Sequence, residues 1–180
     1  GLKEGRAAIL KSAASMGIAL QITNISRDIA EDAGKGRIYV PQDWFKQAPS
    51  FSPEATLSTK EKAEASDKAR MDDYASLSAC VDAKRAPLAN EFRYSVYLGD
   101  LLALAEIHKI GTSESIRKLP RSCQPGIRAA TQVYIGIGQR IRQKAFKTDG
   151  SYNTEYDGKR VSLTKGQRVE IALREVYLKR

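Results

Sequence analysis

The 180-residue sequence predicts an all-α fold, on three observations. The run Gly17–Asp32 sorts by the helical period: Ile18, Ile22, Ile25 and Ile29 make an apolar stripe, and Gln21, Asn24, Asp28 and Asp32 make a polar ridge beside it. Five further stretches of helical pattern follow, separated by Gly and Pro punctuation. Finally, the one glycine-bearing run that imitates a dinucleotide loop, Ala129 to Gly138, lacks the third glycine, the preceding strand and the βαβ setting, so it reads as a close contact within a helix layer.

In order along the chain, a first helix is expected from about Lys3 to Ala33, ended by the Gly34 and Gly36 breakers. Pro41 marks a turn into a loop containing Pro49, Ser50, Ser52 and Pro53. From Thr59 to about Ala83 the chain is rich in Lys, Glu, Ala and Asp and light in large apolar residues, which predicts a helix lying on the surface. Within it, Asp72-Asp73 reads as a solvated face. Pro87 precedes a helix from about Leu88 to Ile110 whose apolar density assigns it to the core. Thr112 or Ser113 is expected to cap a short helix ending at Leu119-Pro120, and Gln124 to Phe146 reads as another core helix. Thr148 to Lys159 is expected to be loop, with a final helix from about Thr164.

The ridge of the first helix is where chemistry concentrates. At ~100° per residue, Gln21, Asn24, Asp28 and Asp32 fall within a sector of roughly 80°. Two carboxylates an i,i+4 step apart disfavour an isolated helix by a few tenths of a kcal/mol. A hard divalent cation would offset that repulsion, and so would pairing with lysines and arginines from elsewhere; the spacing alone leaves both readings open. The isoleucine stripe favours the first, because it places the carboxylates at the edge of an apolar cavity, an arrangement suited to a substrate with an anionic head and a hydrocarbon tail.

The stretch Met16-Gly17-x-x-x-Gln21-x-x-Asn24-Ile25-x-Arg27-Asp28-x-x-Glu31-Asp32, followed by Gly36-Arg37-Ile38-Tyr39-Val40-Pro41, resembles the second aspartate-rich motif of the squalene and phytoene synthases. The likeness is greatest to the phytoene synthases, and the Gly-Arg-x-Tyr-x-Pro ending resembles the fungal enzymes fused to lycopene cyclase. The resemblance implies an isoprenoid synthase helical bundle of the class I terpenoid synthase type, in which two facing helices present acidic residues to a Mg²⁺ cluster, with Mn²⁺ as a substitute. By that resemblance Asn24, Asp28 and Asp32 are metal ligands, with Asp28, Asp32 and Arg27 as the catalytic group. Gln21 and Arg27 lie near the diphosphate or the prenyl chain, Arg37 and Tyr39 near the mouth of the site, and Tyr134 either faces the prenyl pocket or packs as a plain aromatic.

The reaction so implied joins two geranylgeranyl diphosphates head to head through a cyclopropyl intermediate, with release of diphosphate and no redox cofactor. Squalene synthase-like condensation of farnesyl diphosphate and a non-catalytic member of the fold are the alternatives. No second acidic cluster stands in a comparable setting, so the chain reads as residues 1–180 of the C-terminal part of one synthase domain whose N-terminal half carries the first motif. Alone, it is expected to be inactive.

Other classes find less support. A formal net charge of +9 favours anionic partners, but no zinc-finger spacing, ribonucleoprotein motif or basic-aromatic platform points to nucleic acid. No run is apolar and long enough to span a bilayer and nothing resembles a signal peptide, so the expected partners are a peripheral membrane surface or a membrane-embedded lycopene cyclase domain of a longer chain. The expected location is the cytosolic side of a membrane or the cytoplasm. Cys80 and Cys123 fit no metal or redox spacing, His108 is the only histidine, and a Ser-His-Asp mechanism has no support. The Asn24-Ile25-Ser26 sequon falls inside the motif helix and is discounted.

Overall fold

In the computed structural model, residues 2–52 and 60–178 are described. Among them six α-helices account for the fold: α1 (Leu2–Gly34), α2 (Lys60–Asp82), α3 (Tyr94–Lys109), α4 (Thr112–Arg117), α5 (Gln124–Ala145) and α6 (Lys165–Leu173). The only β pairing among the described residues is an isolated bridge between Phe146 and Tyr152. A 3₁₀ turn spans Gln42–Phe45 inside the expected loop, and a π turn, Arg174–Leu178, prolongs α6. The expected start of the second helix at Thr59 lies outside the described residues.

α1 is long because nothing interrupts it: its two internal glycines, Gly5 and Gly17, sit in open space, and the helix stops where Gly36 adopts a φ of +77°. Its core face, Ala19, Ile22, Ser26, Ile29 and Ala33, packs along α3, which is buried from Tyr94 to Leu102. Thr23 and Ser26 turn their hydroxyls back onto the carbonyls of Ala19 and Ile22, at 2.9 and 2.8 Å, so their burial leaves no hydroxyl unbonded. The isoleucine stripe is only partly the buried one: Ile22 and Ile29 are buried, Ile25 is half-buried and Ile18 is 45% exposed. The reason is drift, since the interface with α3 follows α1 on a line closer to Ala19, Ser26 and Ala33 than to Ile18. Ile22→Ala is therefore expected to cost about 2–5 kcal/mol. Ile25→Ala should cost clearly less, and equal losses in urea titrations of the two variants would contradict this packing.

α2 departs from its expected surface role. It buries Leu77 and Cys80, and also Arg70 and Asp73. Its packing is carried by polar side chains, which is why its apolar content was misleading. Arg70 donates through Nη2 to Asp100 Oδ2 at 2.9 Å and through Nη1 to the Trp44 carbonyl at 3.1 Å, and its guanidinium sits 5.2 Å from the centre of the Tyr97 ring. Asp73 is no solvated residue either: it accepts from Tyr97 Oη at 3.0 Å and from Arg93 Nε at 2.8 Å, while Asp72 is exposed as expected. Burial, then the charge of Asp73, pushes the Tyr97 phenol far above its ordinary range, so it remains a donor at any working pH.

α3 begins at Tyr94, not Leu88, because residues 88–93 form a turn held by Glu91, whose carboxylate accepts from the Leu88 amide and from both ends of the Arg85 guanidinium. α4 is preceded by Gly111 at φ +76°, and neither Thr112 nor Ser113 caps it; Thr112 donates back to the Lys109 carbonyl. In α5 the glycines do mark close approaches, since a Cβ at Gly136 would lie 3.0 Å from Leu163 and one at Gly138 3.7 Å from Leu102. α6 opens with a complete capping box between Thr164 and Gln167. Cys80 is buried, Cys123 exposed, and both are free.

The segment after α5 is anchored by aromatic packing. Tyr156 and Tyr94 meet edge to face at 6.1 Å, and Gly158, at φ +68°, lies directly under the Tyr94 ring. A Cβ there would come within 2.3 Å of Tyr94 Cε1. Gly158→Ala should thus destabilise the protein by about 2–4 kcal/mol through left-handed strain and overpacking, a shift that thermal melts would register. Since Tyr94 Oη is itself tied to the Pro87 carbonyl at 2.9 Å, the backbone and not the ring has to give way.

Candidate active site

The acidic ridge lies on the side of α1 away from α3, and it has a different entourage from a bare helix face. Asp28 is gripped by Arg27, Nε to Oδ1 at 2.9 Å and Nη2 to Oδ2 at 2.7 Å. From the far end of the chain, Arg160 reaches back so that its Nε is 3.1 Å from Asp28 Oδ1 and its Nη1 is 3.0 Å from Glu31 Oε2. Arg160 arrives there because Tyr156 and Gly158 are pinned on Tyr94 and the next residues, Val161 and Leu163, are buried. Lys35 pairs with Glu31 one helical turn on.

The charges leave a consistent electrostatic pattern. The hydrogen bond to Asp28 holds the Arg27 guanidinium above its already high range, against the cost of its burial. Glu31 is held below the usual carboxylate range, first by Lys35 and further by Arg160. Asp32 moves the other way: burial and then the charge of Asp28 push its carboxyl up, and it makes no ion pair among the described residues. Among those residues no three His, Cys, Asp or Glu side chains come together in a group able to hold a metal ion. What the ridge assembles is two carboxylates and the amide of Asn24, which is half-buried.

The remaining candidates divide between three places. Asp32, Arg37 and Tyr39 line one shallow cleft with Ile25, Ile29 and Leu77. Tyr134 lies on α5 and lines a narrow crevice with Met16, Leu20, Thr23 and Lys109. Gln21 is exposed and lines neither space. Above the ridge along α1, Ala13, Met16, Gly17 and Leu20 wall an apolar groove of about 620 Å³, closed on its other side by Ile116 and Ile127. Met16 and Leu20 line both this groove and the Tyr134 crevice, so the two spaces adjoin. Chemically the arrangement offers anionic oxygens and guanidinium donors at one end and hydrocarbon walls at the other. Arg160 is the residue that sequence reasoning missed: it follows directly on the expected loop, and its contact with Asp28 joins positions 132 apart in the chain.

Comparison with known proteins identifies the family. The profile of the squalene/phytoene synthase family matches residues 1–167. A bifunctional lycopene cyclase/phytoene synthase of Blakeslea trispora is 32% identical over 176 residues, 97% of this chain and 23% of that protein. A 15-cis-phytoene synthase of a Paracoccus species is 32% identical over 135 residues, 75% of this chain and 34% of its own length. The phytoene synthase of Cereibacter sphaeroides is 28% identical over 138 residues, 77% of this chain and 31% of that protein. The chain thus spans between a quarter and a third of the length of these relatives, roughly. No solved structure matches it. With residues 1–167 matched by the family model, the chain is a member of the squalene/phytoene synthase family.

Proposed function

We propose that the chain works as part of a prenyltransferase that condenses two geranylgeranyl diphosphates head to head to phytoene, releasing diphosphate at each ionisation. The observation that carries this reading is the charged face of α1, where Arg27 and Arg160 meet Asp28 and Arg160 meets Glu31, on the same helix whose earlier turns, Ala13 to Leu20, wall an apolar groove. Ionising an allylic diphosphate is mainly an electrostatic task, and the carbocation it leaves has to be kept from water. The relatives named above are phytoene synthases, which favours this reading over squalene-type condensation. Intact Asn24, Asp28 and Asp32 favour it over a non-catalytic member of the fold.

Two carboxylates and an amide on one helix face are oxygen donors of the kind a hard divalent cation takes; Asp28 would exchange its contacts with Arg27 and Arg160 for the cation, and further ligands would come from outside this face. Asp32 is kept reluctant to ionise by its neighbour Asp28 and by burial, and a cation on the ridge would relieve both effects. Asn24, Asp28 and Asp32 would hold Mg²⁺, or Mn²⁺ in its place, which supplies charge neutralisation for the leaving diphosphate when bound. Arg27 and Arg160 now neutralise Asp28 and Glu31, and each has further N–H groups to offer a phosphate oxygen. Arg37 is exposed at the cleft mouth beside Asp32 and Tyr39, suited to meet a diphosphate as it enters. Tyr134 would face the prenyl chain; Gln21, exposed on the ridge, would meet substrate from the open side.

A second acidic face belongs in this proposal, since one helix offers too few ligands to surround a diphosphate. Turnover is therefore expected from a longer polypeptide or from this chain paired with an N-terminal half bearing the first motif, and not from this chain alone. The test supplies geranylgeranyl diphosphate to such a pair with and without Mg²⁺ and separates the lipid products. Phytoene that appears only with Mg²⁺ supports the proposal. A folded pair that makes no product from geranylgeranyl or farnesyl diphosphate refutes it.

A further inference from the structure

The residues that carry Arg160 to the ridge form an extended strap between the Gly158 turn and α6. Val161 and Leu163 are buried while Arg160, Ser162 and Thr164 are exposed. That alternation puts Arg160 and Ser162 on one face, about 7 Å apart along the chain. Residues 157–163 form no backbone–backbone hydrogen bond among the described residues. Three side chains tether them instead: Tyr156 Oη donates to the Lys159 carbonyl at 3.0 Å, Arg140 Nη1 to that of Ser162 at 3.2 Å, and Arg168 Nε to that of Leu163 at 3.0 Å. Thr164 uses its hydroxyl to cap α6, whereas the hydroxyl of Ser162 bonds to nothing among the described residues.

Lys159-Arg160-Val161-Ser162-Leu163 sets two cations three and two residues before this open hydroxyl, and an apolar residue after it. Protein kinases that select basic segments read that pattern, their carboxylates gripping the cations in charge-assisted pairs. The Lys159 side chain is 85% exposed and that of Arg160 52%, so both can be reached. Lifting the strap into a kinase cleft breaks the three tethers and uncovers Val161 and Leu163, but it disrupts no backbone ladder, which makes it a local opening and not an unfolding of the bundle.

We propose that Ser162 is a phosphorylation site for such a kinase, and that its phosphate draws Arg160 off Asp28 and Glu31. In the transfer, Ser162 Oγ bonds to the γ-phosphorus of ATP, the bond from that phosphorus to the ADP oxygen breaks, and the hydroxyl proton passes to a base of the kinase as ADP leaves. The new group carries a charge of about −1.5 to −2 at pH 7 and three acceptor oxygens, placed on the face that Arg160 shares. Arg160 stands 3.1 Å from Asp28 Oδ1 and 3.0 Å from Glu31 Oε2, and neither carboxylate depends on it alone. Asp28 keeps Arg27 and Glu31 keeps Lys35 when Arg160 turns to the phosphate, so the exchange strands no charge. In the prenyltransferase reading above, on which this consequence rests, a guanidinium leaves the end that meets diphosphate and a dianion arrives beside it, so synthesis is turned down.

The test incubates the chain with ATP and the catalytic subunit of cyclic-AMP-dependent protein kinase and maps the product by tandem mass spectrometry. Ser162 should be phosphorylated in the folded chain, and Lys159→Gln combined with Arg160→Gln should slow the transfer about tenfold or more. Phosphorus-31 NMR then follows the second ionisation of the phosphate, ordinarily at about 6. Pairing with Arg160 should hold it below that value, and phosphorylated Arg160→Gln, obtained by longer incubation, should titrate close to it. No phosphate on Ser162, transfer only to the denatured chain, or an undiminished rate in the double variant would overturn the site. An identical phosphorus titration with and without Arg160 would overturn its exchange of partners. Neither readout involves turnover, so a failed phosphorylation site and a failed prenyltransferase reading are told apart.

Discussion

Replacing Asp28 or Asp32 by Asn in the catalytically complete polypeptide is expected to lower phytoene formation by at least about 10²–10³-fold, the scale seen when a preorganised electrostatic group is lost from a reacting centre. Helix content should be preserved, because neither carboxylate is part of the packing between α1 and α3. Asp28 serves two arginines at once, so its loss also frees Arg27 and Arg160 from their present geometry. The Asp32 carboxyl reports the change directly. Its protonation is raised partly by the charge of Asp28, so in Asp28→Asn its titration, followed by NMR, should move down towards the ordinary carboxylate value. Since a carboxyl whose ionisation is opposed by the fold favours the folded state at low pH, any contribution from Asp32 to stability is present below its ordinary range and lost as pH rises through its raised value. Undiminished product from either variant would remove the ridge from the mechanism.

The second large effect is expected in the core. Arg70 and Asp100 are both 0% exposed, and their ion pair joins α2 to α3 beneath the 3₁₀ turn. Asp100→Leu takes the Asp100 countercharge away from a buried guanidinium and should cost about 3–5 kcal/mol in urea unfolding. Arg70→Met should cost a similar amount by taking the guanidinium away from the buried carboxylate. The double replacement, Arg70→Met with Asp100→Leu, is expected to recover most of either loss, because an apolar pair of suitable volume avoids desolvating two charges. Additive losses in that cycle would show that the pair is not coupled as its 2.9 Å contact implies. The aromatic surroundings explain why the pair tolerates burial: Tyr97 stacks on Phe92 with centroids 5.0 Å apart, its face meets the guanidinium of Arg70, and its hydroxyl is bonded to Asp73.

Most helices were legible in the chain because period and punctuation are local properties. α1 and α5 follow the expected bounds to within one residue, and Thr164 opens α6. The misreadings concern side chains whose partner the helical period does not show, distant in α2 and local at the start of α3. α2 looked like surface since its large apolar residues are few, yet Arg70 and Asp73 are buried because Asp100, Arg93 and Tyr97 come to them from α3 and the turn before it. α3 starts six residues late because Glu91 claims the Leu88 amide and Arg85 for a turn. Composition registers a charged residue but not the partner that buries it.

For the functional site, the sequence by itself determined the ridge. Gln21, Asn24, Asp28 and Asp32 share a face through the helical period alone, and the family likeness rests on those same positions. Only the tertiary structure decided what surrounds them. It put Ile18 in solvent and gave Asp32 the company of Arg37 and Tyr39 in one cleft. It also brought Arg160 to Asp28 and Glu31, from a segment that Tyr94 and Gly158 hold in place. The physical reason is range: a helix repeats its faces every few residues, whereas a countercharge, a wall or a groove is set by which elements the core forces together.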